Sequence, residues 1–201
     1  IQILNDVGIS IYNGKYQIKA SARNFPLEVF YLRHGDRPQY LRDGVVDAAI
    51  ICENVLVEKG DDITIVVRLV FSKCKVSIAV PKSVKYKGIQ DLQGKRIATS
   101  YPNTVNQYLS KNNIVTDIHV INGSVEIAPN IGLADAIVDI VSSGSTLFKN
   151  NLKEVEVILT SEAVLASSPE ISAEKQEILD KLQFRLQSVL KGRQSKYVLL
   201  N

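Results

Sequence analysis

Ala134-Asp135-Ala136-Ile137-Val138-Asp139-Ile140-Val141-Ser142-Ser143-Gly144-Ser145-Thr146-Leu147 decides how this chain folds. Ala134–Val141 is an apolar strand that runs into a small, hydroxyl-rich turn around one glycine, and a helix begins at Thr146–Asn150. Such a turn aims several backbone N–H groups into one concavity with hydroxyls beside them. The helix N-terminus adds partial positive charge. Together they make a phosphate cradle that needs no lysine. Asp139 stands inside the apolar strand, where a carboxylate is costly unless a polar group meets it. A ribose diol, or a magnesium ion through water, would supply that partner. A plain strand–turn–helix, with Asp139 capping neighbouring N–H groups, fits this stretch equally well, because serine-rich turns are common.

Working outward, short apolar runs alternate with amphipathic segments, the pattern of an α/β protein. Upstream, the pattern predicts strands at Phe25–Leu32, Val45–Ile51, Ile63–Val70 and Lys75–Val80, the last ended by Pro81. Helical segments fall at Arg37–Asp43, entered through Pro38, and at Glu53–Lys59, closed by Gly60. Lys82–Gly88 is polar and basic and reads as a hinge. Beyond it the order repeats: Ile89–Leu92 helical, Arg96–Thr99 strand, Pro102–Lys111 helix, Ile118–Ile121 strand, and Val155–Leu159 strand after the quoted stretch. Ser172–Lys191 is the clearest helix, with Ile178, Leu182, Leu186 and Val189/Leu190 on one face and Ser172 as N-cap. Two similar lobes joined by a hinge imply a central cleft, and ligands of open α/β sheets sit at the carboxyl ends of strands.

The 201 residues suffice for one large domain or two small lobes. Hydrophobic content of 45% and charged content of 22% are ordinary for a globular protein. A net charge of +3 with scattered basic residues argues against nucleic acid as a partner. No apolar stretch is long enough to span a membrane, and residues 1–20 show no signal-peptide pattern. Cys52 and Cys74 lack metal-ligand spacing and read as reduced thiols in a cytoplasmic protein. The absence of methionine and the start at Ile1 lead us to expect a trimmed chain.

Two further segments offer chemistry. In Asn122-Gly123-Ser124-Val125-Glu126-Ile127-Ala128-Pro129 a glycine turn could carry Glu126 toward the same cleft, or leave it in water. In Ile97-Ala98-Thr99-Ser100-Tyr101-Pro102-Asn103 a strand ends in an aromatic that suits packing on a base or ribose, or simple core packing. His34 lies in a polar loop and His119 in a strand pattern. No dedicated catalytic acid or base stands out, and no metal-ligand set is readable.

Residues 95–165 resemble the ATP phosphoribosyltransferases that open histidine biosynthesis. The similar pieces are Gly94–Thr99, Tyr101-Pro102-Asn103, Asn122–Glu126, Ala128-Pro129, Gly132–Ile137, the turn Asp139–Leu147 and Ser161-Glu162-Ala163. Upstream, Arg33, Asp36-x-Pro38, Asp43–Asp47 and Glu53–Leu56 also match. The resemblance implies transfer of 5-phosphoribose from phosphoribosyl pyrophosphate to N1 of ATP, with Mg2+ as cofactor and pyrophosphate released. It implies that Ser142, Ser143, Gly144, Ser145 and Thr146 hold the ribose 5-phosphate, with Asp139 and Glu126 facing the ribose hydroxyls or the metal-bound end. Arg33, Asp36 and Tyr101 fall on the ATP side. It also implies homo-oligomers (a dimer or a hexamer of dimers) and histidine feedback through a domain absent here. Ser195–Asn201 resembles the junction into that domain. The family's N-terminal strand and basic loop do not precede Ile1.

Some positions depart from the family pattern. Cys52 and Val70 stand where glycine is frequent, and Asn151 where glycine often follows asparagine. The turn reads Ser-Ser-Gly-Ser-Thr rather than the commoner Ser-Thr-Gly-x-Thr. The fold expected is α/β, two lobes with a central cleft, similar to type II periplasmic binding proteins. Residues 1–79 and 160–201 would form one lobe and 80–159 the other, which carries the phosphate turn. A non-catalytic binding protein of the same fold is the alternative, and a catalytically dead relative kept for assembly is a third reading.

Overall fold

The computed structural model describes residues 2–11, 18–60 and 62–194. Along the chain run α1 (Gln2–Asp6), β1 (Lys19–Ser21), β2 (Glu28–Phe30), α2 (Arg37–Arg42), β3 (Ala48–Cys52), α3 (Glu53–Lys59) and β4 (Thr64–Arg68). Then come β5 (Cys74–Pro81), β6 (Arg96–Thr99), α4 (Pro102–Lys111), β7 (Asp117–Val120) and β8 (Ala136–Val141). The last elements are α5 (Ser145–Lys149), β9 (Leu152–Ser161), β10 (Ala163–Ser167) and α6 (Ala173–Gln194). Single 3-10 turns cover His34–Asp36, Ile89–Leu92 and Val125–Ile127. Ser195–Asn201, the segment that resembles a domain junction, lies outside the described residues.

The chain divides into two compact units: Ile1–Ile51 with Asp61–Phe71 and Ala163–Asn201, and Cys52–Gly60 with Ser72–Glu162. The second unit thus takes α3 out of the middle of the first and begins at Ser72. Lys82–Gly88, read from sequence as a hinge, lies inside it. The cause is β5. Its ladder runs antiparallel to β8 on one side and β9 on the other, so Cys74–Pro81 is integral to that sheet.

In the first unit, β10 pairs antiparallel with β4 in a three-stranded sheet ordered β3-β10-β4. Ala163–Ser167 is buried at every position, as expected for a central strand with both faces covered. Helix α6 covers this core with Leu179, Leu182, Leu186 and Leu190, and α1 adds Ile3 and Leu4. Each buried leucine contributes about 1.5–3 kcal/mol over an exposed one.

The second unit is a five-stranded mixed sheet ordered β7-β6-β8-β5-β9. The β6 strand runs parallel to both β7 and β8. Alternation along β8 sorts its side chains. Ala136 and Val138 join a core with Val76, Ile78, Ile97, and Val105 and Leu109 of α4. Ile137 and Val141 face the other way, toward Ala79, Ala98, Val125 and Leu147. Asp139 falls between Ile137 and Val141 and so shares their face. Among the described residues no helix is long and apolar enough to cross a membrane.

Candidate active site

Parallel pairing gathers the site. Because β7, β6 and β8 run the same way, their carboxyl ends lie at one end of the second unit's sheet. Tyr101 follows β6, Glu126 follows β7 through the Gly123-Ser124 turn, and Ser142–Thr146 follows β8. Gly123 and Ser124 both adopt left-handed φ, +89° and +50°, which turns the chain sharply before Glu126. The carboxyl ends of parallel strands are where open α/β sheets take their ligands.

The turn itself has the features of an anion seat. Gly144 sits at φ +73°, with open space where a Cβ would point. Ser142, Ser143, Ser145 and Thr146 are exposed. The Ser143 and Ser145 hydroxyls lie 3.0 Å apart, and the Ser145 N–H reaches Ser143 Oγ only at 3.5 Å. The Phe148 N–H closes back on the Gly144 carbonyl at 3.0 Å, while the N–H groups of Ser143, Gly144, Thr146 and Leu147 find no acceptor among the described residues. With only five residues, α5 has a small macrodipole. Oriented N–H groups and hydroxyls of this kind can attract an anion.

Asp139 lies opposite Ser77 in the β5–β8 ladder. Its Oδ1 accepts the Ile140 N–H at 2.8 Å, so the local capping foreseen from sequence is present. Burial, with Glu126 repelling it, raises the Asp139 carboxyl above the usual carboxylate range, partly offset by that N–H. The Tyr101 hydroxyl is pushed up to about 12, chiefly by burial and then by the negative charge of Asp139. Structure thus brings Tyr101, Glu126, Asp139 and the turn into one neighbourhood. Among the described residues no group of three or more His, Cys, Asp or Glu side chains converges as a metal cage. The acidic pair Asp139–Glu126 is of the kind that holds Mg2+ jointly with substrate phosphates.

Other residues shape this end of the sheet without being evident in the sequence. Asn54 and Glu58, one turn apart on α3, both reach the segment after β6. Asn54 is fully buried, and its Nδ2 donates to the Tyr101 hydroxyl at 3.3 Å. Glu58 accepts from the N–H groups of Asn103 and Thr104 at 3.0 and 2.9 Å, capping α4. On the Asp139 face, the Glu154 carboxylate accepts from Lys75 Nζ at 2.7 Å and from Ser77 Oγ at 2.8 Å. A signal was available: two polar residues spaced i, i+4 on an otherwise apolar helix face.

Arg33 and Asp36 belong to the first unit, where both are exposed. Their loop is pinned by Arg37, which donates to the Leu32 carbonyl at 3.1 Å and to the Ile50 carbonyl at 2.7 Å. His34 lies 3.3 Å from that guanidinium, and burial and then the Arg37 charge hold its imidazole below the ordinary range. His119 pairs with Asp117 at 3.1 Å. Neither Cys52 nor Cys74 is in a disulfide.

The family model for ATP phosphoribosyltransferase (HisG) matches residues 33–188. The ATP phosphoribosyltransferase of Cytophaga hutchinsonii is 53% identical over 201 residues, covering 100% of this chain and 70% of that protein. That of Parabacteroides distasonis is 51% identical over 201 residues, covering 100% and 71%. Among solved structures, the ATP phosphoribosyl transferase (HisG:HisZ) complex from Thermotoga maritima superposes with a TM-score of 0.78 at 28% identity, over 95% of this chain and 92% of that one. The periplasmic aliphatic sulphonate binding protein SsuA of Escherichia coli reaches a TM-score of 0.56 at 11% identity, over 78% and 59%, and shares the fold alone. The architecture is therefore α/β of the type II periplasmic-binding-protein kind, and the sequence identities decide between a receptor and an enzyme on that scaffold. The chain belongs to the ATP phosphoribosyltransferase family, the pentosyltransferases that catalyse the first step of histidine biosynthesis.

Proposed function

We propose that this chain moves 5-phosphoribose from phosphoribosyl pyrophosphate onto N1 of ATP with the 5-phosphate seated in Ser142–Thr146. The observation that carries the reading is the set of unpartnered N–H groups at Ser143, Gly144, Thr146 and Leu147, with exposed hydroxyls beside them. Such a seat takes a phosphate dianion without a lysine. Asp139 and Glu126 accept hydrogen bonds from the ribose hydroxyls. Tyr101, Arg33 and Asp36 contact ATP, the tyrosine through its ring and hydroxyl and the arginine through charge.

The bond from C1 of the ribose to pyrophosphate breaks as the lone pair of adenine N1 forms the new C–N bond. That lone pair needs no general base, so the residues act by holding two polyanions in line and excluding alternative geometries. Asp139 and Glu126 would hold Mg2+, which when bound would neutralise charge on the leaving pyrophosphate. Cytoplasmic location, assembly into dimers or hexamers of dimers, and histidine feedback through a further domain belong to the same proposal. The family resemblance supports them. The Thermotoga structure, itself a complex, supports association in particular.

The test is pyrophosphate release from phosphoribosyl pyrophosphate and Mg2+, with and without ATP, on the full-length protein. ATP-dependent release, with phosphoribosyl-ATP absorbance rising in parallel, is the expected result. Unchanged phosphoribosyl pyrophosphate affinity in a Ser143→Ala/Thr146→Val variant would remove these two hydroxyls from the site.

A further inference from the structure

The fully buried side chain of Asn54 is held in a single orientation. Its backbone N–H donates to Ser161 Oγ at 2.9 Å, and Ser161 Oγ donates back to Asn54 Oδ1 at 2.8 Å. A serine hydroxyl has one proton, and the carboxamide oxygen receives it. Cys74 Sγ lies 4.0 Å from the same oxygen and can only donate to it. With Oδ1 so occupied, the amide nitrogen faces Tyr101, and Nδ2 donates to the phenol oxygen at 3.3 Å. The phenol is therefore the acceptor in this contact, and its own proton is left to be donated elsewhere.

The tyrosine backbone is fixed too. The Tyr101 N–H donates to Thr99 Oγ1 at 2.9 Å, and the helix that follows is capped by Glu58 of α3, the same helix that carries Asn54. One short helix thus grips the Tyr101–Thr104 segment at two points four residues apart. The negative charge of Asp139 also reaches the tyrosine hydroxyl.

We propose that Asn54, locked by Ser161, is a positioning residue that sets the Tyr101 hydroxyl as a hydrogen-bond donor to bound nucleotide. The inference rests on the assignment of Tyr101 to the ATP side of the reaction. Asn54 touches no substrate. It fixes the direction of a bond made by a residue that does. Replacing it frees the phenol to turn its proton inward or to leave its rotamer, at the expense of the contact with ATP.

The experiment is a double-mutant cycle on the full-length enzyme, with kcat and KM for each substrate measured separately. Tyr101→Phe, Asn54→Ala and the double variant are compared with the parent. The expected result is a rise of about three- to tenfold in KM for ATP in each single variant, the worth of one hydrogen bond. The double variant should equal Tyr101→Phe, because no hydroxyl remains to be positioned. KM for phosphoribosyl pyrophosphate should stay within twofold throughout, which a general loss of structure would not spare. Should Asn54→Ala fail to fold, Ser161→Ala carries the same test, since it releases the carboxamide while leaving it in place. Its KM for ATP should rise on the tyrosine background but not on the phenylalanine one. Additive effects, or an unchanged KM for ATP in both Asn54→Ala and Ser161→Ala, would overturn the positioning role and leave the tyrosine assignment standing. An unchanged KM for ATP in Tyr101→Phe would overturn both.

Discussion

Thr104 donates both its backbone N–H and its hydroxyl to the carboxylate of Glu58, at 2.9 and 2.8 Å. Both residues are buried. A carboxylate thus occupies the N-terminus of α4, where the first N–H groups have no intrahelical partner. This fixes the direction in which α4 leaves Tyr101.

Glu58→Ala should leave those donors buried and unpaired. The expected loss is about 2–3 kcal/mol, or roughly 4–10 °C in melting temperature. Glu58→Gln keeps one acceptor oxygen and should lose about half as much. Thermal melts of the three proteins followed by circular dichroism check the order.

Val70 adopts φ +60°, a left-handed conformation that a β-branched residue takes only under strain, whereas Asn151 at φ +57° is of a type that tolerates it. Val70→Gly should therefore stabilise the protein by about 0.5–1 kcal/mol, the relief of strain less the entropy of glycine. Asn151→Gly should change it by no more than a few tenths. Denaturant titrations that show equal effects would contradict the difference.

Asp139 should oppose stability while serving binding. Its carboxyl is raised by burial and by Glu126, so the folded state holds the proton more tightly than the unfolded one. The stabilising contribution is complete below the ordinary aspartate range and is lost as pH rises through the raised value. At neutral pH the ionised group is therefore a liability. Asp139→Asn should melt higher than the parent at pH 7.5, with the gap closing near pH 4. Phosphoribosyl pyrophosphate affinity should fall at least about tenfold, the loss of hydrogen bonds to a charged acceptor. Melts at both pH values and calorimetric titration separate the two effects.

Gly144→Val should act on the turn rather than the fold. No atom lies within 4 Å of where its Cβ would sit, so the cost is conformational, set by φ +73°. About 1–2 kcal/mol of strain, a few degrees in melting temperature, is expected with at least a tenfold weaker affinity for phosphoribosyl pyrophosphate. A folded variant with parental affinity would take the 5-phosphate away from this turn.

Local pattern was enough for elements whose reasons are local. Glu53–Lys59, Arg96–Thr99 and Pro102–Lys111 have the bounds read from sequence, because a glycine stop, a short apolar run and an N-terminal proline act within a few residues. The strand–glycine–helix stretch around Asp139 was legible for the same reason. What pattern missed depends on partners distant in the chain. Strand β9 runs Leu152–Ser161 rather than Val155–Leu159, because its ladder with β5 satisfies backbone groups that alternation alone leaves unassigned. Strand β10, Ala163–Ser167, too short and too evenly buried to show a period, is a strand because β3 and β4 flank it.

The residue types in the site, and the order in which they occur, are properties of the sequence. So is membership of the family, because matching residues in matching order need no coordinates. Which groups meet was settled in three dimensions. Asn54 and Ser161 are separated by 107 positions, yet form one hydrogen-bonded clasp. Glu58 caps a helix 46 positions away. Such pairs follow from closing a mixed sheet, which sets distant strand ends side by side and leaves each buried polar atom to find its partner among whatever the closure delivers.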